Sequence, residues 1–556
     1  MARLEQGHGG GRRPTVVVFD QGVGVQKGAG ANQDDTRGEV IVESGRIDVV
    51  VDATEQNMVK ACVPFYVRGD MLTILADSES RRRNRLGDCL PSLVQATAPM
   101  VLEAMERTSR FVSRTREGHW RVQSCPRNAP AVYLGRVGRY RFPEARGISL
   151  VPILLADGGL VSEGHDVDSG MVVCAAGGWP RYIGQPTEAD ARAALQRVCE
   201  LVGGFPFVSE SDRAVTVAAF MTAVLRPSLP TAPGFAWSAS VRGSGKSKLA
   251  DVCAVLATGA PAAPLSWPAQ AEEQEKRLGA ALLAGDPVIA IDNVESNLRG
   301  DCLNILLTQQ TMAIRVLGRS VQPRVAVCAL LTMTGNNLLI SGDLTRRVLV
   351  SHLDPACERP ELRKFDFDPV TRAIAERREL VAALLHLARW GQSVRGTLPP
   401  LGSFEEWSRR VRDPLVALGM ADPCTCLDLL HKEDPERETA FEVMSEWQRA
   451  FGVEAVTVAA AIRTATETAG TSRLRDALDA VAGGPGGLNA RRLGRYMLRQ
   501  KDRHIGGMAV RREEDQGSNT AAWRVELVGR DAGPWLDDSP SMSDAERYRA
   551  ATNGEL

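Results

Sequence analysis

Hydrophobic and polar positions divide the 556-residue chain into stretches with different rhythms. The first 35 residues are rich in Gly, Arg and Gln, carry one short apolar run from Val16 to Phe19, and read as a flexible leader. Short β-like runs set off by turn residues follow: Ile47 to Val51, Met71 to Leu75, and Ile148 to Leu155 ahead of Asp157-Gly158-Gly159. Leu93 to Thr108 has helical spacing and interrupts them, so the pattern predicts an α+β domain over 36–185.

Two helices come next, over 186–229, as a collar-like module. Thr187 is placed to cap the first, with Glu188 and Asp190 in the opening turn where the helix dipole favours acids, and Leu195, Val198 and Leu201 on one face. The second runs from Ser211 to Leu225 and stops before Pro227. From 230 to 355 the pattern is α/β, with apolar strand-like runs at Phe235–Ala239, Pro287–Ile291, Val325–Met333 and Val348–Val350. Residues 356–484 read as helical. In 485–530 a helix begins at Asn489 and ends near Gln500, and runs at Ile505–Met508 and Ala522–Leu527 read as strands, the helix-then-hairpin order of a winged helix. Residues 531–556 are polar and read as a fraying tail. The fold class expected is multidomain α/β around one nucleotide-binding core.

Composition narrows this only a little. With 44% hydrophobic and 24% charged residues the chain has enough apolar side chains for a sizeable core. A net charge of -1 excludes a uniformly cationic nucleic-acid binder, so any such contact has to come from local patches. Eight of the 67 basic residues are lysine, so an arginine cluster counts only where its position supports it. The 11 cysteines form no CxxC pair, which argues against a zinc ribbon or a disulfide framework. No segment has the ~18 to 20 apolar residues of a membrane span, and the first arginines are not followed by the apolar h-region of a signal peptide. A soluble, cytoplasmic protein without membrane contact is expected.

The chemistry lies in the α/β region. Ser240-Val-Arg-Gly243-Ser244-Gly245-Lys246-Ser247-Lys248 sits where a strand turns into a helix. Gly243 and Gly245 let backbone N–H groups curl around phosphate oxygens, and the helix N-terminus adds partial positive charge. Lys246 is expected to reach the β- and γ-phosphates of ATP, and Ser247 to offer its hydroxyl to Mg2+. Ser240 stands where this motif usually opens with Gly. A carboxylate is then needed at the end of a neighbouring buried strand, and Asp292 supplies it 46 residues after Lys246, as the second metal-side residue. The next position, often a water-polarising glutamate, holds Asn293; Glu295 is nearby but out of register. Thr334-Gly335-Asn336-Asn337 ends another strand, and Asn336, or alternatively Asn337, is placed to sense the γ-phosphate. Ten residues beyond Asn336, Arg346-Arg347 offers an arginine to stabilise transition-state charge, in cis or across a subunit boundary.

This order and spacing resemble the superfamily 3 helicases of phages, plasmids and small DNA viruses, which are ring-forming motors related to the AAA+ ATPases. The likeness by motif covers about 230–355. More loosely, the whole chain resembles primase–helicase-type replication proteins of prophages and integrative elements, through Phe205-Pro-Phe207, Gly342-Asp-Leu-Thr-Arg-Arg347 and Leu493-Gly494-Arg495 among others. The resemblance implies an ATP- and Mg2+-dependent DNA helicase or translocase, a hexameric ring, single-stranded or forked DNA as substrate, and a separate primase or replication partner. It also implies a DNA-gripping β-hairpin ahead of the Asn336 strand, with Arg315 on one arm and Arg319 at the tip. An ATP-switched initiator or loader that does not unwind is the alternative, and Asn293 points that way.

Two further features concern DNA. Arg491, Arg492, Arg495 and Arg499, with Lys501 and Arg503, stand against Asp502 alone in 488–503, and a helix that basic suits phosphate contact. Asp166-Val-Asp168 has the spacing of a metal-binding carboxylate pair, but its glycine-rich flanks read as a loop rather than a primase site.

Overall fold

The computed structural model describes residues 16–17, 36–77, 91–155, 157–175, 178–179, 185–295, 297–315, 322–363, 365–432, 434–467, 472–484, 486–514 and 521–528. The chain divides into two compact units, one up to Leu430 and one from His431. The expected tail over 531–556 lies outside the described residues, as does the leader over 1–35 apart from Val16–Val17. Those two residues form a strand antiparallel to Glu163–Asp166.

The first unit is mixed α/β and is organised by a four-stranded parallel sheet. Its order is Val288–Val294, Leu330–Asn336, Gly234–Ala239, Val348–Leu353. All six residues of Gly234–Ala239 are buried, as befits a central strand covered on both faces. Helix Lys246–Thr258 packs on this sheet and on helix Glu210–Leu225, which also lies against Val348–Leu353. Helix Glu188–Leu201 opens with a reciprocal capping box, in which Thr187 and Asp190 satisfy each other's backbone donors. Helix Glu210–Leu225 is capped by Ser209, and its Asp212 is nearly inaccessible to solvent.

The N-terminal part of this unit departs from the expected pattern in two places. Ile47–Val51 is no strand but the first turn and a half of helix Ile47–Lys60. Val50, Val51, Thr54, Glu55 and Met58 are its buried positions, so the helical period over fourteen residues outweighs the β-branched run at its start. In 93–108 the chain is first a strand, Pro91–Gln95, and turns helical only from Ala98. Pro99 allows this, because proline is tolerated in a helix only within the first turn.

Two three-stranded sheets and three helices enclose a core of this part's own, including Phe65, Met105, Phe111 and Tyr133. Buried arginines tie it to the parallel sheet's surroundings. Arg377 donates to Leu150 O and to Val255 O, Leu256 O and Ala257 O at the end of helix Lys246–Thr258, and Arg68 donates to Leu282 O.

The second unit begins with helix Pro435–Phe451 and continues through helices Val458–Glu467, Ser472–Ala482 and Ala490–Gln500. Its antiparallel sheet has the order Val456–Thr457, Ala521–Leu527, Met508–Glu514, His504–Ile505. The run expected as one strand over 505–508 is instead a tight hairpin turning on Gly506-Gly507. Trp447, Leu493, Met497, Val510 and Trp523 share one core. The single helical region expected over 356–484 is therefore divided. Leu380, Leu384, Trp407 and Leu430 join the core around the parallel sheet, whereas Ala440, Met444 and Leu474 join the second unit's core.

Among the described residues no helix is long and apolar enough to cross a membrane. Cysteines among them are free thiols, and they include no group of His, Cys, Asp or Glu able to hold a metal ion by itself.

Candidate functional site

The strand Gly234–Ala239 ends in a loop that closes onto helix Lys246–Thr258, and both glycines of that loop are left-handed, with φ 77° at Gly243 and 98° at Gly245. An L side chain is strained there. Gly245 has a second reason to be glycine, since a Cβ would meet the Phe205 ring at 2.8 Å. Phe205 had no assigned role from sequence, and it supports the loop from beneath. Ser244 Oγ donates to Val241 O at 3.1 Å and stiffens the turn. Ser240, at the loop's entry, is exposed.

Lys246 is buried at its base, 8% exposed. Its Nζ donates to Val241 O (3.0 Å), Ser244 Oγ (3.0 Å) and Asn336 Oδ1 (2.9 Å). Burial pushes its pKa below the ordinary lysine value, and the Asp292 carboxylate opposes that shift. Ser247 Oγ donates to Asp292 Oδ1 at 2.9 Å. The parallel sheet is the cause of this convergence. The strands bearing Asp292 and Asn336 lie side by side, and Ala239 is in register with Asn336, so three strand ends open onto the helix N-terminus.

Thr334 completes the arrangement and was missed from sequence. Its hydroxyl donates to Asp292 Oδ1 and accepts from the Asn293 backbone N–H at 3.1 Å. Its signal in the sequence is a polar residue two positions before Asn336, on the same face of a largely apolar strand. Asn336 is half-buried against Lys246, whereas Asn337 is exposed, has φ 45°, and uses its backbone N–H on Ala239 O. Asn293 also sits at positive φ, 53°, and its Nδ2 donates to Glu295 Oε1 at 2.9 Å. Lys248 is turned away from the loop and pairs with Asp368.

The two arginines separate clearly. Both pair with Asp343, at 3.0 Å for Arg346 and 3.5 Å for Arg347. The Arg346 side chain is 66% exposed and that of Arg347 15%. Arg347 also gives its carbonyl to the Gly234 N–H, at the base of the loop strand.

Hairpin arms are present ahead of the Asn336 strand, with Thr311–Ala313 antiparallel to Arg324–Ala326. Met312, Ile314 and Val325 face the core, and Arg315 and Arg324 are exposed. Arg319 lies outside the described residues. In the second unit, Asn489 caps helix Ala490–Gln500 through Oδ1, and Leu493, Tyr496 and Met497 face the core. Arg491, Arg495 and Arg499 are exposed and follow one another every four residues along the opposite face. Arg492 is held by Gly483 O at 2.7 Å. Asp166, by contrast, is buried in a turn, where its Oδ2 accepts the Ser169 N–H at 2.9 Å while Asp168 is exposed. That pair is a turn device.

No protein-family model matches the chain, and no curated protein matches it. Among solved structures it is similar to an apo C-terminal region of NrS-1, with 9% identity and a TM-score of 0.36 over 86% of this chain and 98% of that one. An A-form structure of the same region gives 8% identity and a TM-score of 0.32 over 75% of this chain and 93% of that one. A JCV helicase bound to a small molecule gives 14% identity and a TM-score of 0.19, covering 46% of this chain and 71% of that chain. At such TM-scores the function has to be argued from the side chains.

Proposed function

We propose that the chain is an ATP-dependent DNA helicase or translocase serving replication of a phage or mobile element, and that it works as a ring, in keeping with the superfamily 3 resemblance. The observation that carries this is the meeting of Lys246, Ser247, Asp292 and Asn336 at the sheet's end, linked by bonds of 2.9 Å. The loop N–H groups and Lys246 would hold the ATP phosphates. Ser247 and Asp292, now bonded to each other, would share Mg2+, which supplies charge neutralisation between the β- and γ-phosphates. The fit is chemical: a hydroxyl and a carboxylate are hard oxygen donors of the kind Mg2+ prefers. Asn336 would exchange its bond to Lys246 for one to the γ-phosphate.

Arg346 is the arginine suited to act across a subunit boundary, because its side chain is exposed on a short helical turn. The hexameric ring belongs to this reading. DNA contact falls to the hairpin arms through Arg315 and to Arg491, Arg495 and Arg499 on helix Ala490–Gln500. The second unit's order supports reading it as a winged helix: a helix, a strand, helices ending in the basic one, then a hairpin whose last strand pairs with the first.

A second reading, an ATP-switched initiator or loader without unwinding, is favoured by Asn293 in the place of an acid. DNA-stimulated ATP turnover with strand displacement of a fork supports the motor. Tight ATP binding with neither supports the switch, and absence of ATP binding removes both.

A further inference from the structure

The strand that carries Asp292 is not regular. Ile291 pairs with Met333, but the next in-register pair is Val294 with Gly335, so two residues, Asp292 and Asn293, stand opposite Thr334 alone. This is a β-bulge, and bulges re-aim the side chains beyond them. Without it, Asp292 and Glu295 are three apart and face opposite sides of the sheet. With it, Val294 is buried in register with Gly335, and the alternation continued one residue further would carry Glu295 to the face of Asp292.

Three contacts agree. Thr334 Oγ1 touches both Asp292 Oδ1 and the Asn293 N–H, and Asn293 Nδ2 reaches Glu295 Oε1 at 2.9 Å. Gly335 makes the bulge possible, since a Cβ there would lie 2.8 Å from Val294 O. The bulge also accounts for the residue at 293. Its φ of 53° suits asparagine far better than glutamate.

We infer that Glu295 is the catalytic base of ATP hydrolysis and that Asn293 is its positioning residue, the carboxylate having been moved two residues along by the bulge. The assignment rests on the nucleotide reading above. In the step, the water oxygen attacks the γ-phosphorus and the bond from that phosphorus to the β,γ-bridging oxygen breaks. ADP departs with the electron pair of that bond. The water's proton passes to a Glu295 carboxylate oxygen and from there to solvent as phosphate leaves.

The test is single-turnover ATP hydrolysis and nucleotide affinity for the full chain with Mg2+ and single-stranded DNA, in wild type, Glu295→Gln and Asn293→Ala. Glu295 is exposed, so the isosteric change leaves folding intact, and retained ATP affinity verifies it. Expected for Glu295→Gln is affinity within about twofold of wild type, with hydrolysis slower by on the order of 100-fold or more and no rise of rate with pH on the acid side. Asn293→Ala lowers kcat with little change in KM and keeps that acid-side rise. Wild-type hydrolysis by Glu295→Gln with ATP bound overturns the assignment and leaves the nucleotide reading standing. A wild type that binds no ATP removes both.

Discussion

The phosphate-loop end of the parallel sheet and the basic face of helix Ala490–Gln500 are both read here as binding phosphates, yet they are built on opposite principles. At the loop, Lys246 is buried and bonded to Asn336, Asp292 takes the hydroxyls of Ser247 and Thr334, and the glycines are locked by left-handed backbone and, at Gly245, by Phe205. On the helix, Arg491, Arg495 and Arg499 stand in solvent on a surface whose underside alone is packed. The first arrangement holds its donors ready and so suits one geometry of triphosphate. The second offers charge without fixed geometry, which suits a backbone of repeated phosphates and makes binding depend on salt.

The largest effect that would sharpen this contrast concerns a residue neither buried nor free. Arg346→Ala is expected to lower ATP turnover of the assembled protein by on the order of 1,000-fold, as loss of a trans-acting arginine does. Nucleotide affinity should be nearly unchanged. Arg347→Ala, which removes a largely buried side chain paired with Asp343, should lower thermal stability as well. Equal, mild effects of the two would remove the distinction between them.

On the helix, replacing Arg491, Arg495 and Arg499 together by Glu should weaken DNA binding without altering ATP affinity. If each neutralises one phosphate, the slope of log affinity against log salt should fall by about 2 to 3. A fluorescence titration at several salt concentrations reads both. An unchanged slope would break the comparison.

The smallest expected effect tests the framework beneath the loop. Asp212 Oδ1 accepts the His352 N–H at 2.6 Å and its Oδ2 the Ser209 hydroxyl at 2.6 Å, joining helix Glu210–Leu225 to the edge strand. Burial alone would raise its pKa, but the bonds from His352 and Ser209 outweigh burial and hold it below the ordinary value of 3.8. A carboxylate with a depressed pKa contributes stability that is present above its unfolded value and lost as pH falls through the folded one. Asp212→Ala should therefore cost about 2 kcal/mol near neutral pH. In chemical denaturation the two proteins should converge in acid, below that ordinary value.

How much of this the chain announces differs between the regions for the same physical reason. The loop, the acid strand and Asn336 are legible because backbone geometry demands Gly at 243 and 245 and a buried strand demands an apolar run before Asp292. The cap at Thr187 is legible because one side chain satisfies one exposed donor. What escapes are effects set by tertiary packing. Ile47–Val51 looks like a strand until Met58, two turns on, is known to be buried with it. Thr334 and Phe205 act through neighbours distant in sequence, and the bulge at Asp292-Asn293 is a matter of register with Gly335. The boundary near residue 430 escapes because helices on both sides have the same pattern and differ only in which core they enter. Exposed arginines carry the least information, since no buried core fixes their spacing.

The central claim, that the sheet end at Lys246, Ser247, Asp292 and Asn336 is a Mg·ATP site, is tested most directly by titrating the full chain with a fluorescent ATP analogue in Mg2+, for wild type and Lys246→Ala. Saturable binding by wild type, weakened about 10- to 150-fold in the variant, is predicted, since a charged bond to phosphate is worth roughly 1.5 to 3 kcal/mol. Equal binding by both proteins, or binding by neither, would contradict the account.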